Sequence, residues 1–322
     1  MKFLIKEKDV NERLDIFLSK KINFLTRSHI KKIIENNHVK INNKLVNLPS
    51  KKVKLNDAIL IIIATVQSKK LLPNKVKLDI EYEDKDIIII NKPKGMVVHP
   101  GAGNYKNTLA NGLIYKYRNQ LSTINGELRP GIVHRIDKET SGLLVVAKNN
   151  LAHSKLGQQF SEHTIKRKYL CLVWGVIRPI NGQIKSLISR SKKNRQMMSV
   201  SDINGKKAIT NYKTIKLFNV KNIPKISLIE CELKTGRTHQ IRVHMKYKGT
   251  SLLGDKQYGK KNIKFKNINK DFLERLNDLN GQALHAKSLG FIHPTNGNFI
   301  SFNSKLPEAF RNLVNLLENL SS

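Results

Sequence analysis

The segment Gly131-Ile132-Val133-His134-Arg135-Ile136-Asp137-Lys138-Glu139-Thr140-Ser141-Gly142 sets one carboxylate, Asp137, in a polar loop closed by glycines. The apolar run Leu143 to Ala147 follows at once and reads as a buried strand. A carboxylate at the mouth of a core strand is a common way to present a nucleophile or a base. Two later segments carry further polar chemistry. Thr164-Ile165-Lys166-Arg167-Lys168-Tyr169 ends in a tyrosine that opens a strand. Leu233 to Met245 holds Arg237 in a Thr-Gly-Arg turn and Arg242 in His239-Gln240-Ile241-Arg242-Val243-His244-Met245. Read as a strand, that last stretch points Ile241 and Val243 one way and Gln240, Arg242 and His244 the other. An arginine in a buried strand needs a carboxylate partner, and Asp137 is the best candidate. Arg237, in the turn, is better placed to meet a phosphate. His134, His239 and His244 invite a metal reading, but there is no His-Glu-x-x-His helix, and the last two fall on opposite strand faces, so no metal is expected.

The order His134-Arg135-Ile136-Asp137-Lys138-Glu139-Thr140-Ser141-Gly142 resembles the catalytic motif of the RluA family of RNA pseudouridine synthases. Thr164 to Tyr169 and Leu233 to Met245 resemble two further motifs of that family, and the likeness runs over about residues 78–310. The resemblance implies that Asp137 is the essential catalytic residue and Tyr169 the active-site tyrosine. It implies too that Arg242 partners Asp137 and that Arg135 helps to flip the target nucleotide. The implied reaction breaks an N-glycosidic bond, turns the base and forms a C–C glycosidic bond. It involves no net redox change or hydrolysis, so no cofactor is required. A glycoside hydrolase would need a second carboxylate across the bond, and the motif frames only Asp137. Tyr82-Glu83-Asp84, Ile87 to Pro93 and His99 to Asn104 resemble the branch that modifies the helix 69 stem-loop of 23S ribosomal RNA. The implied partner is therefore 23S ribosomal RNA or the large-subunit particle. A second branch acts at other 23S sites, and a non-catalytic ribosome-assembly factor is the alternative from another class. The set Asp137, Tyr169 and Arg242 argues against the last.

These groups need elements to position them. Residues 11 to about 63 read as a small α+β unit. Asn11 is placed to cap a first helix bearing Leu14, Phe17 and Leu18, and Thr26 a second bearing Ile30, Ile33 and Ile34. Val39 to Val46 alternates as a hairpin about Asn42-Asn43, and Asp57 to Ile63 closes the unit. Arg13-Leu14-Asp15, Thr26-Arg27-Ser28 and the Val-x-Ile-Asn hairpin resemble an S4 RNA-binding domain. The resemblance implies phosphate contacts from Arg13, Arg27, His29, Lys31 and Lys32. The expected organisation is an S4-like domain over 1–65, a linker over 66–77 and a catalytic domain over 78–322. The catalytic domain is α+β, on a mixed, mainly antiparallel sheet. Helices are expected at 106–118, 151–161, 270–278 and 306–320, strands through most of 130–245, and a lysine-rich surface loop at 258–270.

Lys and Arg number 59 against 24 acids, a formal charge of +35. That balance implies a polyanionic partner, although a chain rich in Lys, Asn and Ile also carries the mark of AT-rich codons. The two cysteines, Cys171 and Cys231, sit in apolar segments without Cys-x-x-Cys spacing, as buried reduced thiols do. The start lacks a signal peptide's apolar core, and no run reaches the roughly 18 apolar residues of a membrane span. A cytoplasmic monomer with no membrane partner is expected.

Overall fold

The computed structural model describes residues 1–22, 25, 27–62, 71–101, 103–259 and 269–321. Thr26, the His29 side chain, residues 66–70 of the expected linker and 260–268 of the expected surface loop lie outside that set. The chain divides into two compact units, Met1–Lys70 and Leu71–Ser322.

In the first unit, helices α1 (Leu14–Lys21) and α2 (Arg27–Glu35) pack on four antiparallel strands, β1 (Lys2–Leu4), β2 (Val39–Ile41), β3 (Lys44–Leu45) and β4 (Ala58–Ile61). Their order is β1-β4-β2-β3. Leu14, Phe17, Leu18, Ile30 and Ile34 meet Val39, Ile41, Ile59 and Ile61 in one core. The hairpin turns on Asn42 and Asn43, with φ of 49° and 64°, the left-handed pair that a two-residue turn matching strand twist requires. The expected Asn11 cap is not formed. Arg13 occupies the N-cap without a side-chain bond, and Asn11 has φ 62°. The first helical amides are satisfied from outside the helix: Leu14 N donates to Lys51 O at 2.8 Å and Asp15 N to Pro49 O at 3.0 Å. Carbonyls of a turn distant in sequence replace the local cap.

The second unit is built on ten strands. They are β5 (Ile80–Glu83), β6 (Ile87–Lys92), β7 (Ser141–Ala147), β8 (Lys166–Trp174), β9 (Asn181–Arg190), β10 (Met198–Ser201), β11 (Lys206–Phe218), β12 (Ile226–Leu233), β13 (Leu284–Ile292) and β14 (Phe299–Asn303). The order is β10-β9-β11-β12-β8-β13-β7-β6-β5, with β14 beside β13. Every pairing is antiparallel except β13 with β7. At that parallel step Ala286 lies opposite Gly142, whose φ is 112°; a Cβ there would stand 2.3 Å from Ala286 O. Only glycine allows the two backbones so close.

Side chains alternate between the two sheet faces. Ile88, Ile90, Tyr169, Cys171 and Val173 point to a core shared with α3 (Leu109–Tyr117) and α5 (Gln240–Tyr247). Ile87, Ile89, Leu143 and Val145 point the other way, against α4 (Asn150–Ser161). Leu172 and Trp174 meet α6 (Lys270–Asp278) and α7 (Glu308–Ser321). All four expected helices are present with small shifts at their ends. Thr108 and Asn111 form a reciprocal capping box at the start of α3.

Two further readings of local structure change. The stretch His239 to Met245 is not a strand but the start of α5, which begins after His239, a residue with φ 56°. Every residue from Gln240 to Met245 is buried, so an alternating pattern and a helical one look alike in sequence. The helix is set by tertiary contacts: Ile241 and Met245, four apart, enter one core, and Val243 enters another. Residues 71–77 run against the second unit. Leu71 is buried in its core, and Asn111 Nδ2 donates to Leu72 O at 2.7 Å. Cys171 and Cys231 are buried free thiols 3.9 Å apart.

Candidate active site

Strand register assembles the site. The Asp137 loop ends where β7 begins, with Ser141 opposite His285 of β13. One step across β13, Ala286 faces Tyr169 of β8, and Tyr169 in turn faces Cys231 of β12. Beyond Leu233 the chain turns through Gly236 and returns as α5. Three segments far apart in sequence thus line one cavity of about 530 Å³, with Asp137, Tyr169 and Arg242 in its wall.

Arg242 Nη1 donates to Asp137 Oδ2 at 3.1 Å. Its main partner is a residue that motif reading missed: Nε and Nη2 form a two-pronged pair with Asp255, at 2.7 and 2.9 Å. The guanidinium lies over the Tyr258 ring, 4.7 Å from its centroid. Asp255 is itself held by the amides of Gln257 and Tyr258, at 3.0 and 2.9 Å. Burial alone would make Arg242 less basic, but the bonds and charge of Asp255, then Asp137, outweigh it and raise its pKa. Burial would likewise raise Asp255, and Arg242 overrides it and holds it low. The Arg242 side chain is 7 % exposed and that of Asp255 fully buried, while Asp137 keeps 19 % on the cavity. Asp137 Oδ1 makes no hydrogen bond to a described residue; His239 Nε2 stands 3.8 Å away. Burial lowers the pKa of His239, against the pull of Asp137. Its other nitrogen meets the Tyr258 hydroxyl at 2.8 Å.

The Tyr169 hydroxyl makes no hydrogen bond to any described residue. Burial raises its pKa, and the nearby Arg167 opposes the rise. Beneath the Asp137 loop lies Lys92, fully buried, another residue that motif reading missed. Its amine donates to Pro93 O, Met96 O and Lys138 O at 2.7, 2.9 and 3.1 Å. That ties the residue after Asp137 to the end of β6. Burial draws the Lys92 pKa down to about 7. A lysine two places after a run of four isoleucines was the available sequence signal.

Of the other expected site residues, Arg135 is exposed at the cavity rim, its Nη1 2.9 Å from His99 Nε2. Arg237 lines the same cavity, anchored by Nε to Lys207 O at 2.9 Å. The three histidines considered for a metal have separate partners. His134 Nε2 accepts from Val145 N, His239 meets Tyr258, and His244 meets Thr210 and Ser186. Asp84, Asp86 and His293 do converge elsewhere. They are linked to protein groups instead, with His293 bonded to Asp84 at 2.8 Å and Asn149 donating to Asp86 at 2.7 Å.

In the first unit, Arg13 and Arg27 both pair with Asp15, Nε of Arg13 at 3.0 Å and Nη2 of Arg27 at 2.9 Å. Lys31 and Lys32 are exposed on α2. Among the described residues no helix is long and apolar enough to cross a membrane.

Comparison with known proteins identifies the family. A family model described as RNA pseudouridylate synthase matches residues 86–247, and an S4 domain model matches 12–59. An uncharacterised RNA pseudouridine synthase of Bacillus subtilis is 42 % identical, covering 98 % of this chain and 96 % of its own. The ribosomal large subunit pseudouridine synthase D of Zymomonas mobilis is 44 % identical, covering 97 % and 96 %. The structure of human RNA pseudouridylate synthase domain containing 1 superposes with a TM-score of 0.57 at 23 % identity, over 76 % of this chain and 96 % of that one, and so shares the fold. The chain belongs to the RNA pseudouridine synthases, a family of isomerases, and carries an S4 domain at its amino-terminal end.

Proposed function

We propose that this chain converts uridine to pseudouridine in 23S ribosomal RNA, at the helix 69 stem-loop, in the cytoplasm, with Asp137 as the catalytic nucleophile. One observation carries the chemistry. Asp137 is the carboxylate that Arg242 leaves open to the cavity, while Asp255 takes the two-pronged face of the same arginine. An arginine locked from behind holds Asp137 in place without covering Oδ1, so orientation is established before substrate arrives. The target nucleotide leaves its stack to reach the cavity, at about a few kcal/mol. Arg135, at the rim, fills the opening it leaves. Asp137 assists cleavage of the N-glycosidic bond, the base turns, and C5 joins the sugar. The C5 proton is lost and N1 gains one, so the sum is an isomerisation without a cofactor. Tyr169, with its unbonded hydroxyl, stacks on the base; held protonated by burial, it could take the C5 proton only after giving up its own. The 23S assignment is supported by relatives named as large subunit pseudouridine synthase D, at 38 to 44 % identity. Residues 1–65 recruit RNA through Arg13, Arg27, His29, Lys31 and Lys32 and take no part in the chemistry.

The test is tritium release from C5-labelled uridine in ribosomal RNA transcripts. Asp137→Asn and Asp137→Ala are expected to abolish release with RNA affinity nearly intact. A tenth of wild-type turnover in the alanine variant would sink the nucleophile. Carbodiimide mapping by primer extension reads the sites. Modification confined to other 23S positions would overturn the helix 69 assignment alone.

A further inference from the structure

Arg167 lies two residues before Tyr169 on β8; both are buried, alternating with the exposed Lys166 and Lys168. Both line the cavity that holds Asp137. Arg167 is 7 % exposed, yet its side chain forms no ion pair and no hydrogen bond with a described residue. Its Nε is sealed and unbonded. Its guanidinium rests on the Phe160 ring, 5.4 Å from the centroid, and that ring stacks on His134. An aromatic face returns only part of what a buried guanidinium loses in leaving water. Arginine does not escape by losing its proton.

The missing partner must be an acceptor that enters the cavity. The lining includes four arginines, Arg135, Arg167, Arg237 and Arg242, and a single acid, Asp137, already engaged by Arg242. So unbalanced a wall suits an anion better than a neutral carbonyl. A Cβ on Gly236 would come within 2.7 Å of Arg167 Nη1, so the bare backbone there lets the guanidinium keep its position at the wall.

We propose that Arg167 binds a phosphodiester oxygen of the RNA strand that carries the flipped uridine. This rests on the reading of the cavity as the uridine site. The contact orders the strand beside Tyr169 and neutralises the cation that the protein leaves unpaired.

The experiment measures binding of a fluorescently labelled short oligoribonucleotide with a single uridine. The Asp137→Asn background prevents turnover, and salt is varied. Arg167→Gln should weaken binding about tenfold, the size of one charged hydrogen bond. It should also lower the salt slope by about 0.7, one phosphate on a single strand. Arg167→Lys should restore the slope and part of the affinity. In the protein with Arg167 intact, a neutral methylphosphonate next to the uridine should cost a similar factor. In Arg167→Gln the same replacement should cost nothing more. The methylphosphonate arm needs no Arg167 variant to fold, so an unstable variant does not shelter the proposal. Gly236→Ala, which crowds Nη1, should weaken binding in the same sense.

Wild-type affinity and slope in Arg167→Gln would overturn the proposal. So would methylphosphonate costs that simply add to the mutation. An affinity loss that follows replacement of uracil by another base, and not loss of phosphate charge, would reassign Arg167 to a base carbonyl and overturn it equally. Tritium release by the wild-type chain is read separately, so failure of the Asp137 assignment is told apart from failure here.

Discussion

The two units contain mirror-image ion triads. In the first, one fully buried carboxylate, Asp15, is shared by Arg13 and Arg27, whose side chains are 41 % and 53 % exposed. In the second, one buried arginine, Arg242, is shared by Asp255 and Asp137. Each triad hides the minority charge and shows the surplus at its edge. The surplus of the first is positive and faces water, where a phosphate can meet it. The surplus of the second is negative and faces a cavity, where a nucleotide can meet it. The difference is one of solvent. Exposed arginines remain hydrated and cost little to hold, whereas a carboxylate kept beside a cavity needs a locked partner to stay in one place.

The largest expected effect separates the two carboxylates of the second triad. Asp255→Ala leaves the buried Arg242 with only its single bond to Asp137 and should cost about 3–5 kcal/mol, with activity lost as well. Arg242→Ala should do the same. Asp137→Ala should lose activity yet melt close to wild type, because Asp255 still holds the arginine. Equal melting losses in Asp137→Ala and Asp255→Ala would show that the two acids share the arginine evenly. Urea unfolding followed by Trp174, the one tryptophan and a core residue of the second unit, makes the measurement.

The next effect is in acid. Burial holds His134 at about 3 and both His244 and His285 at about 4, against about 6.5 for the unfolded chain. A histidine with a lowered folded pKa contributes its full stability above 6.5 and loses it as pH falls toward 4. The Trp174 midpoint should therefore drop between pH 6.5 and 4. Asp15 is also lowered, since Arg13 and Arg27 outweigh the upward push of burial, so its contribution begins to go only below about 3.8. A midpoint unchanged from pH 6.5 to 4.5 would contradict burial of these three neutral rings.

A smaller change is expected at Asp15. Asp15→Ala frees two arginines that can reach water, so the cost should be about 1–2 kcal/mol, well short of that at Asp255. A loss as large as that at Asp255 would show that the first triad is no more tolerant than the second. Amide exchange across α1 and α2 reports it. Smallest of all, Lys31→Ala and Lys32→Ala should each lower the RNA salt slope by about 0.7–0.9, with turnover at saturating RNA unchanged. No change in slope would make that face of α2 a solvated surface only.

The pattern of legibility follows the same physics. The Asp137 loop and the hairpin at Asn42-Asn43 were readable because each depends on near neighbours in the chain. For Asp137 these are a glycine-closed loop and the strand after it; for the hairpin, two residues that tolerate positive φ. The α5 segment was not readable as a helix, because a stretch buried on every side carries no polar face to mark its period. The cap expected from Asn11 failed because carbonyls of residues 49 and 51, distant in sequence, reached the helix start first.

From the order of its residues alone, this chain determined its two-unit plan, its basic surface and the carboxylate at the mouth of β7. Those are local matters of period, turn chemistry and composition. Tertiary structure decided which groups complete the site. Asp255 reaches Arg242 from thirteen residues away, Lys92 ties down Lys138 across forty-six, and Arg167 Nε is left without a hydrogen-bond partner among the described residues. None of these follows from sequence spacing. Ion pairs and buried amines find their partners through space, and only the register of β8, β12 and β13 with the start of β7 determines which side chains share that space.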